Sequence, residues 1–386
     1  MSDIRIATIG SSAITERFID ALAEVDGISY VAAYSRDLAR ARAFGEPRGA
    51  SCFFDDLGKL VSSDAVDAVY VASPNGLHAA QALRCVEAGK HVLVEKAFAA
   101  NERLARELFG AAHASGVVAL EAMRSLHTEG FAAIERNLGR PGKLRQATLR
   151  FGKVTSRIKR LNAGEYVSQF DPALASGALV DIGVYVVEPA IALFGRPDRV
   201  RASLVTTPVS WGGDGPYATI DLAGCIALEY ADKVVGLAYS KVGDDLLASQ
   251  AMGDAGTLIW DATNCPRKVT FVAHEDVGMA YATVGGAKEE IPVSVPENDM
   301  VCEIELFRDA VGGVADALER VGRFEQVTVD SLAVMDEARA QAGVRYPHDE
   351  EGLAAGVRAH VRTGYSGEDG VPGRGQGARR VRASTQ

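Results

Sequence analysis

Lys90-His91-Val92-Leu93-Val94-Glu95-Lys96-Ala97 decides how this chain is read. The apolar run follows Gly89 and is closed by Glu95-Lys96. It has the length and composition of a strand buried on both faces, as in a parallel sheet. Ligands of open α/β sheets sit just beyond the carboxyl ends of the strands. Lys96 therefore stands where a general acid, a substrate clamp or a tuner of a neighbouring pKa belongs. In isolation, a solvated lysine closing a strand looks the same.

Working outward toward the amino terminus, residues 4–9 make a strand that ends in Gly10, and Ile14, Phe18, Ile19 and Leu22 mark the apolar face of a helix. This opening puts Gly10, Ser11, Ser12, Ala13 and Ile14 where a dinucleotide pyrophosphate meets helix amides. The glycine fingerprint is incomplete, with Ser12 at the second position and Thr15 at the third, so the motif alone equally fits a plain turn. A second strand, 28–34, ends at Ser35-Arg36, where an acidic residue would hold the ribose hydroxyls of NAD. Ser35 and Arg36 suit a 2′-phosphate instead, which favours NADP, with NAD second because Asp37 is adjacent. Phe53 and Phe54 give a third strand. A fourth, 66–72, runs into Ser73-Pro74-Asn75, where Asn75 is expected to cap the next helix and face the crevice. With the 91–94 strand, a helix at 101–115 and a strand at 117–120, the βα alternation describes a doubly wound parallel sheet.

The pattern changes near Gly139. Segments 144–151, 200–205, 218–222, 226–230, 234–239, 256–260 and 269–272 are strand-like and closely spaced, as in a large, mostly antiparallel open sheet. One helix, 176–188, interrupts them, and its Asp181 and Tyr185 are four residues apart on one face. Arg124 and His127, the latter opening a helix at 127–137, are expected on the substrate side of the cleft. Helices at about 300–319 and 330–342 follow. The expected organisation is a dinucleotide-binding domain over 1–124, an α+β domain over 125–348 and, where composition collapses into Gly, Arg, Ser and Gln, a disordered tail over 366–386.

The net charge of -10 argues against nucleic acid or an anionic membrane as partner, and no aromatic residue interleaves the basic tail. No apolar run is expected to approach the length of a membrane span. Met1-Ser2-Asp3-Ile4-Arg5 lacks the features of a signal peptide, and five scattered cysteines with no Cys-x-x-Cys read as reduced thiols. A cytoplasmic protein without a metal site is expected.

Ser73-Pro74-Asn75 with His78, followed by Glu87 to Lys96, resembles the glucose–fructose oxidoreductase / inositol 2-dehydrogenase (Gfo/Idh/MocA) family. Gly177-Ala178-Leu179-Val180-Asp181-Ile182-Gly183-Val184-Tyr185 is similar to its second signature. The Glu121-Ala122-Met123-Arg124 junction resembles the branch of dihydrodiol dehydrogenase and NADP-dependent aldose dehydrogenases. The likeness covers roughly residues 3–345, and two motifs at the right separation make it fairly specific. It implies a Rossmann domain joined to an open sheet through which subunits form a homodimer or homotetramer. It also implies hydride transfer between NAD(P) and a carbinol or carbonyl carbon of a sugar, polyol or dihydrodiol. Lys96, Asp181 and Tyr185 then occupy the catalytic positions, with Ser73, Pro74, Asn75, His78 and Glu95 toward the cofactor. Ala97 replaces the usual proline. An NAD-assisted glycosidase and a non-catalytic ligand sensor on the same fold stay open.

Overall fold

The structure, a computed structural model, describes residues 3–212, 215–275 and 286–350, together with a two-residue antiparallel pairing of Tyr365–Ser366 with Val371–Pro372. The rest of the expected tail lies outside the described residues.

Six parallel strands form the first sheet: β1 (Ile4–Ile9), β2 (Ile28–Tyr34), β3 (Cys52–Phe54), β4 (Ala68–Val71), β5 (His91–Glu95) and β6 (Ala119–Ala122). Their order, β3-β2-β1-β4-β5-β6, reverses at β1/β4. That switch point opens a crevice at the carboxyl ends of β1 and β4. The strands there read as continuous apolar runs because helices cover both faces: all of β4 and residues Val92–Val94 of β5 are buried.

The second sheet has eight strands: β7 (Leu144–Gly152), β8 (Arg199–Pro208), β9 (Thr219–Glu229), β10 (Val234–Ser240), β11 (Ser249–Gly253), β12 (Gly256–Trp260), β13 (Val269–Ala273) and β14 (Lys288–Ile291). The order is β14-β13-β12-β11-β7-β10-β9-β8, antiparallel except for the β7–β10 pair. Three expectations change. The strands foreseen at 218–222 and 226–230 are one strand, because Ala223-Gly224 continues the ladder with β10 instead of turning. Two short strands, β11 and β14, were not foreseen. The helices expected at 300–319 and 330–342 are instead Met300–Val311, a break at Gly312-Gly313, and one long helix, Ala315–Gln341.

These two helices tie the layers together. Met300–Val311 packs on the first helix of the parallel sheet, Ala13–Leu22, and Ala315–Gln341 packs on both the Glu102–Ser115 helix and strand β8. Asp299, just ahead of the former, is ion-paired to Arg17 at 2.6 Å and also to Arg124. A further correction concerns Pro172–Phe194. It is long and apolar enough, by length and composition, to cross a membrane, yet it lies mostly buried, its helix packed on β7 and β10 of the second sheet. It carries Asp181 and Glu188 inside the protein.

Candidate active site

At the mouth of the crevice, β5 ends directly before Lys96, and the Lys96–Ala97 peptide bond that follows is cis. A turn packed on the second sheet brings Asp181 to meet it. Residues Leu179–Gly183 form a single wide π-type turn that leads into helix Val184–Phe194. The turn is anchored by Asp221 of β9, whose Oδ2 accepts from the Leu179 N–H at 2.7 Å and from the Tyr239 hydroxyl at 3.0 Å. Gly177, at φ +138°, lets the backbone pass: a Cβ there would stand 2.3 Å from Asp221 Oδ1.

Lys96 Nζ donates to Asp181 Oδ1 at 2.7 Å and to the Asp181 carbonyl at 2.8 Å. Lys241, which follows β10, places its Nζ 2.6 Å from Asp181 Oδ2. One carboxylate is thus held between two lysines from different sheets. Burial disfavours the Asp181 charge, but the two ammonium groups outweigh it and hold the carboxyl well below its usual range. Burial alone would lower Lys96 as well. Asp181, Tyr185 and Glu95 more than reverse this and raise it above its ordinary value. Lys241 goes the other way: burial lowers it, and Asp181 offsets that only in part.

Tyr185 lies under these charges, its ring centroid 5.1 Å from Lys96 Nζ and 5.5 Å from Arg124 Cζ, with Phe151 edge-on at 5.5 Å. Burial raises its pKa and outweighs the lowering by Lys96 and Arg124. A lysine beside the tyrosine therefore does not make a standing tyrosinate here; the phenol keeps its proton at neutral pH.

Lys96, Asp181, Tyr185, Arg124 and Lys241 line one cleft of about 420 Å³, and Ser12, Ile14, Ser73, Pro74, Asn75, His78 and Glu95 line it on the dinucleotide side. Gly10 has φ +118°, and a Cβ there would come 2.4 Å from the Ala72 carbonyl, so the β1 turn lies directly on the end of β4. Helix Ala13–Leu22 begins with no side-chain cap, leaving its first amides open to an anion. The Ser73 hydroxyl is buried and, among the described residues, has no partner. Arg36 is exposed and without an ion pair among the described residues, while the Asp37 carboxylate accepts from Arg40 N and caps its own helix. Ser35 is half-buried beside them. These features fit a dinucleotide whose phosphates lie against the helix start and Arg36.

Several expected residues have other positions or tasks. His127 is not at this cleft. Its ring is edge-on to Phe324 at 4.6 Å and faces a separate hollow with Cys302 and Arg320. Burial, with help from Arg320, drives its pKa down to about 3, so it is a neutral core side chain. The helix it was expected to open begins at Glu129, capped by Thr128. His78 is a staple, with Nδ1 3.0 Å from the Ala97 carbonyl and Nε2 2.6 Å from the Ser73 carbonyl. Asn75 is the first residue of its helix, not its cap, and still faces the cleft. Glu95 accepts from Tyr70 at 2.5 Å. Lys241 and Asp221 escaped the sequence reading. The only signal for either was an ionisable residue closing, or sitting within, an apolar strand.

Behind Lys96, two buried acids have raised pKa values. Glu121 accepts from Phe98 N at 2.7 Å and from the Thr328 hydroxyl at 2.6 Å, and burial pushes it up to about 7 despite these bonds. Its neighbour Glu188 is raised well above its usual range, first by burial and then by Glu121. Both pKa values are higher in the folded chain, so their contribution is complete below about 4.5; that of Glu121 is lost as pH rises through about 7, and that of Glu188 falls away at higher pH. Urea midpoints should fall over that interval. Glu121→Gln, whose carbonyl oxygen can still accept from Phe98 N while its amide donates to the Thr328 hydroxyl, should flatten the slope; an unchanged slope would refute the assignment.

A family profile described as "Oxidoreductase family, NAD-binding Rossmann fold" matches residues 4–122. The NADP(+) scyllo-inositol 2-dehydrogenase of Bacillus subtilis is 33% identical over 347 residues, covering 90% of this chain and 99% of the relative. Human trans-1,2-dihydrobenzene-1,2-diol dehydrogenase is 30% identical over 208 residues, 53% of this chain and 58% of that one. Among solved structures, a 3-ketoreductase from Actinomadura kijaniata in complex with NADP shares the fold at TM-score 0.71 and 21% identity, covering 88% of this chain and 98% of its own. A full-length relative at this identity, together with the fold, places the chain in the Gfo/Idh/MocA family of NAD(P)-binding oxidoreductases.

Proposed function

We propose that the protein is an NADP-dependent dehydrogenase or reductase acting on a CH–OH or C=O carbon of a sugar, polyol or dihydrodiol. The observation that carries this reading is the convergence of Lys96, Asp181 and Tyr185 at the carboxyl end of β5, in one cleft with Ser12 and Ile14 of the turn after β1. NADP names in the B. subtilis relative and the A. kijaniata complex support the cofactor choice. The bound nicotinamide supplies the hydride exchange. Lys96 donates to the reacting oxygen, and its raised pKa keeps it charged while negative charge develops there. Tyr185, held as a phenol, gives its proton to a carbonyl oxygen in the reducing direction and takes it back in the oxidising one. The resulting tyrosinate is transient and faces Lys96 and Arg124. Asp181 fixes Lys96.

A cytoplasmic homo-oligomer belongs to the same reading. The outer face of the second sheet leaves Val205 and Val234 exposed, 59% and 39%, as a surface for self-association.

The test is fluorescence titration with NADPH and NADH. NADPH should bind more tightly, and Arg36→Ala should narrow the gap by about 10- to 100-fold, the effect of one charge-assisted hydrogen bond to phosphate. Tighter NADH binding would reverse the cofactor assignment, and binding of neither would end the reading.

A further inference from the structure

Asp299 does not do what an aspartate at its position ordinarily does. It stands at the N-cap of helix Met300–Val311, where a carboxylate normally accepts from an amide of the first turn, yet its side chain makes no capping bond. The nearest amide, Met300 N, donates to Asn298 Oδ1 at 3.3 Å. The Asp299 carboxylate, 1% exposed, goes to two arginines from distant parts of the chain. Oδ1 accepts from Arg17 Nη2 at 2.6 Å, and Oδ2 accepts from Arg124.

Arg17 belongs to helix Ala13–Leu22, and Asn298 fixes it twice more. Asn298 accepts from Arg17 Nε at 3.2 Å and donates to the Arg17 carbonyl at 2.8 Å. Arg124 follows the last strand of the parallel sheet, lines the cleft and places its guanidinium 5.5 Å from the Tyr185 ring centroid. One carboxylate between two guanidinium groups leaves a net positive charge. Paired with Asp299 alone, Arg124 would lose most of its field at Tyr185. Glu303, one turn along the same helix, is fully buried, and neither oxygen has a partner among the described residues. Burial and then Glu95 raise it well above the usual range, which disfavours a second negative charge here. The Cys265 and Cys302 thiols, which feel Asp299, are each pushed up to about 11, mainly by burial. Around Tyr185, Lys96 and Arg124 favour the anion that burial opposes, Glu95 and Asp181 disfavour it, and Tyr70 is a further neighbour.

We infer that Asp299 is a positioning residue for the proton step at Tyr185: shared between Arg17 and Arg124, it fixes the Arg124 guanidinium against the Tyr185 ring without cancelling its charge. This rests on the dehydrogenase reading for the use to which the proton is put. The same sharing ties Tyr185 to the helix whose first amides face the dinucleotide.

The test follows the phenol itself and needs neither substrate nor cofactor. The full chain is labelled with 3-fluorotyrosine, whose ring fluorine reports ionisation and brings the titration to lower pH. Of the 11 tyrosine signals, the one missing from Tyr185→Phe belongs to Tyr185. In Arg124→Met its midpoint should rise by about one pH unit, the low end for loss of a close opposite charge. In Asp299→Asn it should rise as well, because the guanidinium is no longer held. The direction separates two explanations. Acting only through its own charge, Asp299 would oppose the tyrosinate, and its removal would lower the midpoint. A midpoint that falls, or that stays put while only thermal stability drops, overturns the assignment. The double variant should rise no further than Arg124→Met alone; a further rise also overturns it. If Asp299→Asn does not fold, Arg17→Met decides, since that side chain is 39% exposed. Asp299 then turns wholly onto Arg124, and the midpoint should rise by less than in Arg124→Met; an unmoved midpoint overturns the proposal. The pH profile of kcat is recorded separately, and its Tyr185 limb should move with the fluorine midpoint. Shifted midpoints in a protein without turnover would defeat the dehydrogenase reading and leave the positioning role standing.

Discussion

Lys96→Met should lower kcat/KM by roughly 100- to 1,000-fold, with the loss in kcat, the scale found when one preorganised donor to a developing oxyanion is removed. The substitution is a clean one. Methionine keeps the length of the chain in a site where 13% of the lysine side chain is exposed, and Asp181 still has Lys241 as counter-charge. What disappears is the ammonium that remains charged across the working pH range because Asp181, Tyr185 and Glu95 overcome its burial. Tyr185→Phe should cost a similar factor for a different reason. The ring keeps its edge contact with Phe151 while the proton that neighbours cannot pull off at neutral pH is gone. Because both groups act on one oxygen, the double variant should lose much less than the product of the two single losses. Steady-state kinetics on a substrate of the wild type decides the matter: both single variants within about threefold of wild type would remove Lys96 and Tyr185 from the chemistry.

The parallel sheet was readable because its strands are buried on both faces, so each appears as an uninterrupted apolar run punctuated by a turn signal. Gly89 before β5 and Gly10 after β1 are such signals. The second sheet was less so. Its strands bury one face, and alternation is a weak signal over five residues, which is why β11 and four-residue β14 were not foreseen. Ala223-Gly224 imitated a turn in the middle of β9. In the site, the Lys96, Asp181 and Tyr185 positions could be named in advance because each sits in a motif with fixed spacing. Lys241 could not: it meets Asp181 from 60 positions along the chain, through the β7–β10 pairing that brings the end of β10 to the cleft. His127 failed for the opposite reason. A histidine five residues past the end of β6 looks available, but the short turn Arg124–His127 points it back against the long helix. The protonation state of Tyr185 was likewise beyond reach, since it depends on how completely the surrounding layers exclude water.

Asp181→Asn should be both inactive and less stable, and the pH dependence of the second effect identifies its cause. In the native protein the carboxylate separates and neutralises two lysines that are themselves almost enclosed, 13% and 4% exposed. Removing it leaves two ammonium groups facing an amide. Breaking one side of a buried pair costs about 3–5 kcal/mol, and with a third of this carboxylate open to the cleft about 2 kcal/mol is the fitting expectation. Without Asp181, the largest influence left on Lys96 is burial, which lowers its pKa; Lys241 is already lowered and loses its offset. A lysine whose pKa is lower folded than unfolded binds fewer protons in the native state, so its presence penalises folding more as pH falls and less as pH rises toward the unfolded value near 10.5. The stability deficit of Asp181→Asn relative to wild type should therefore shrink between pH 7 and pH 9.5. Wild-type Asp181 adds no slope in that range, because its own pKa is held down and its contribution is lost only on the acid side of about 3.8. Urea unfolding of both proteins at the two pH values measures the deficit directly. A deficit that is constant with pH would mean that Asp181 holds its turn by packing alone, and a loss below about 0.5 kcal/mol, no more than an ordinary surface substitution, would mean that the two lysines do not depend on it for their charge.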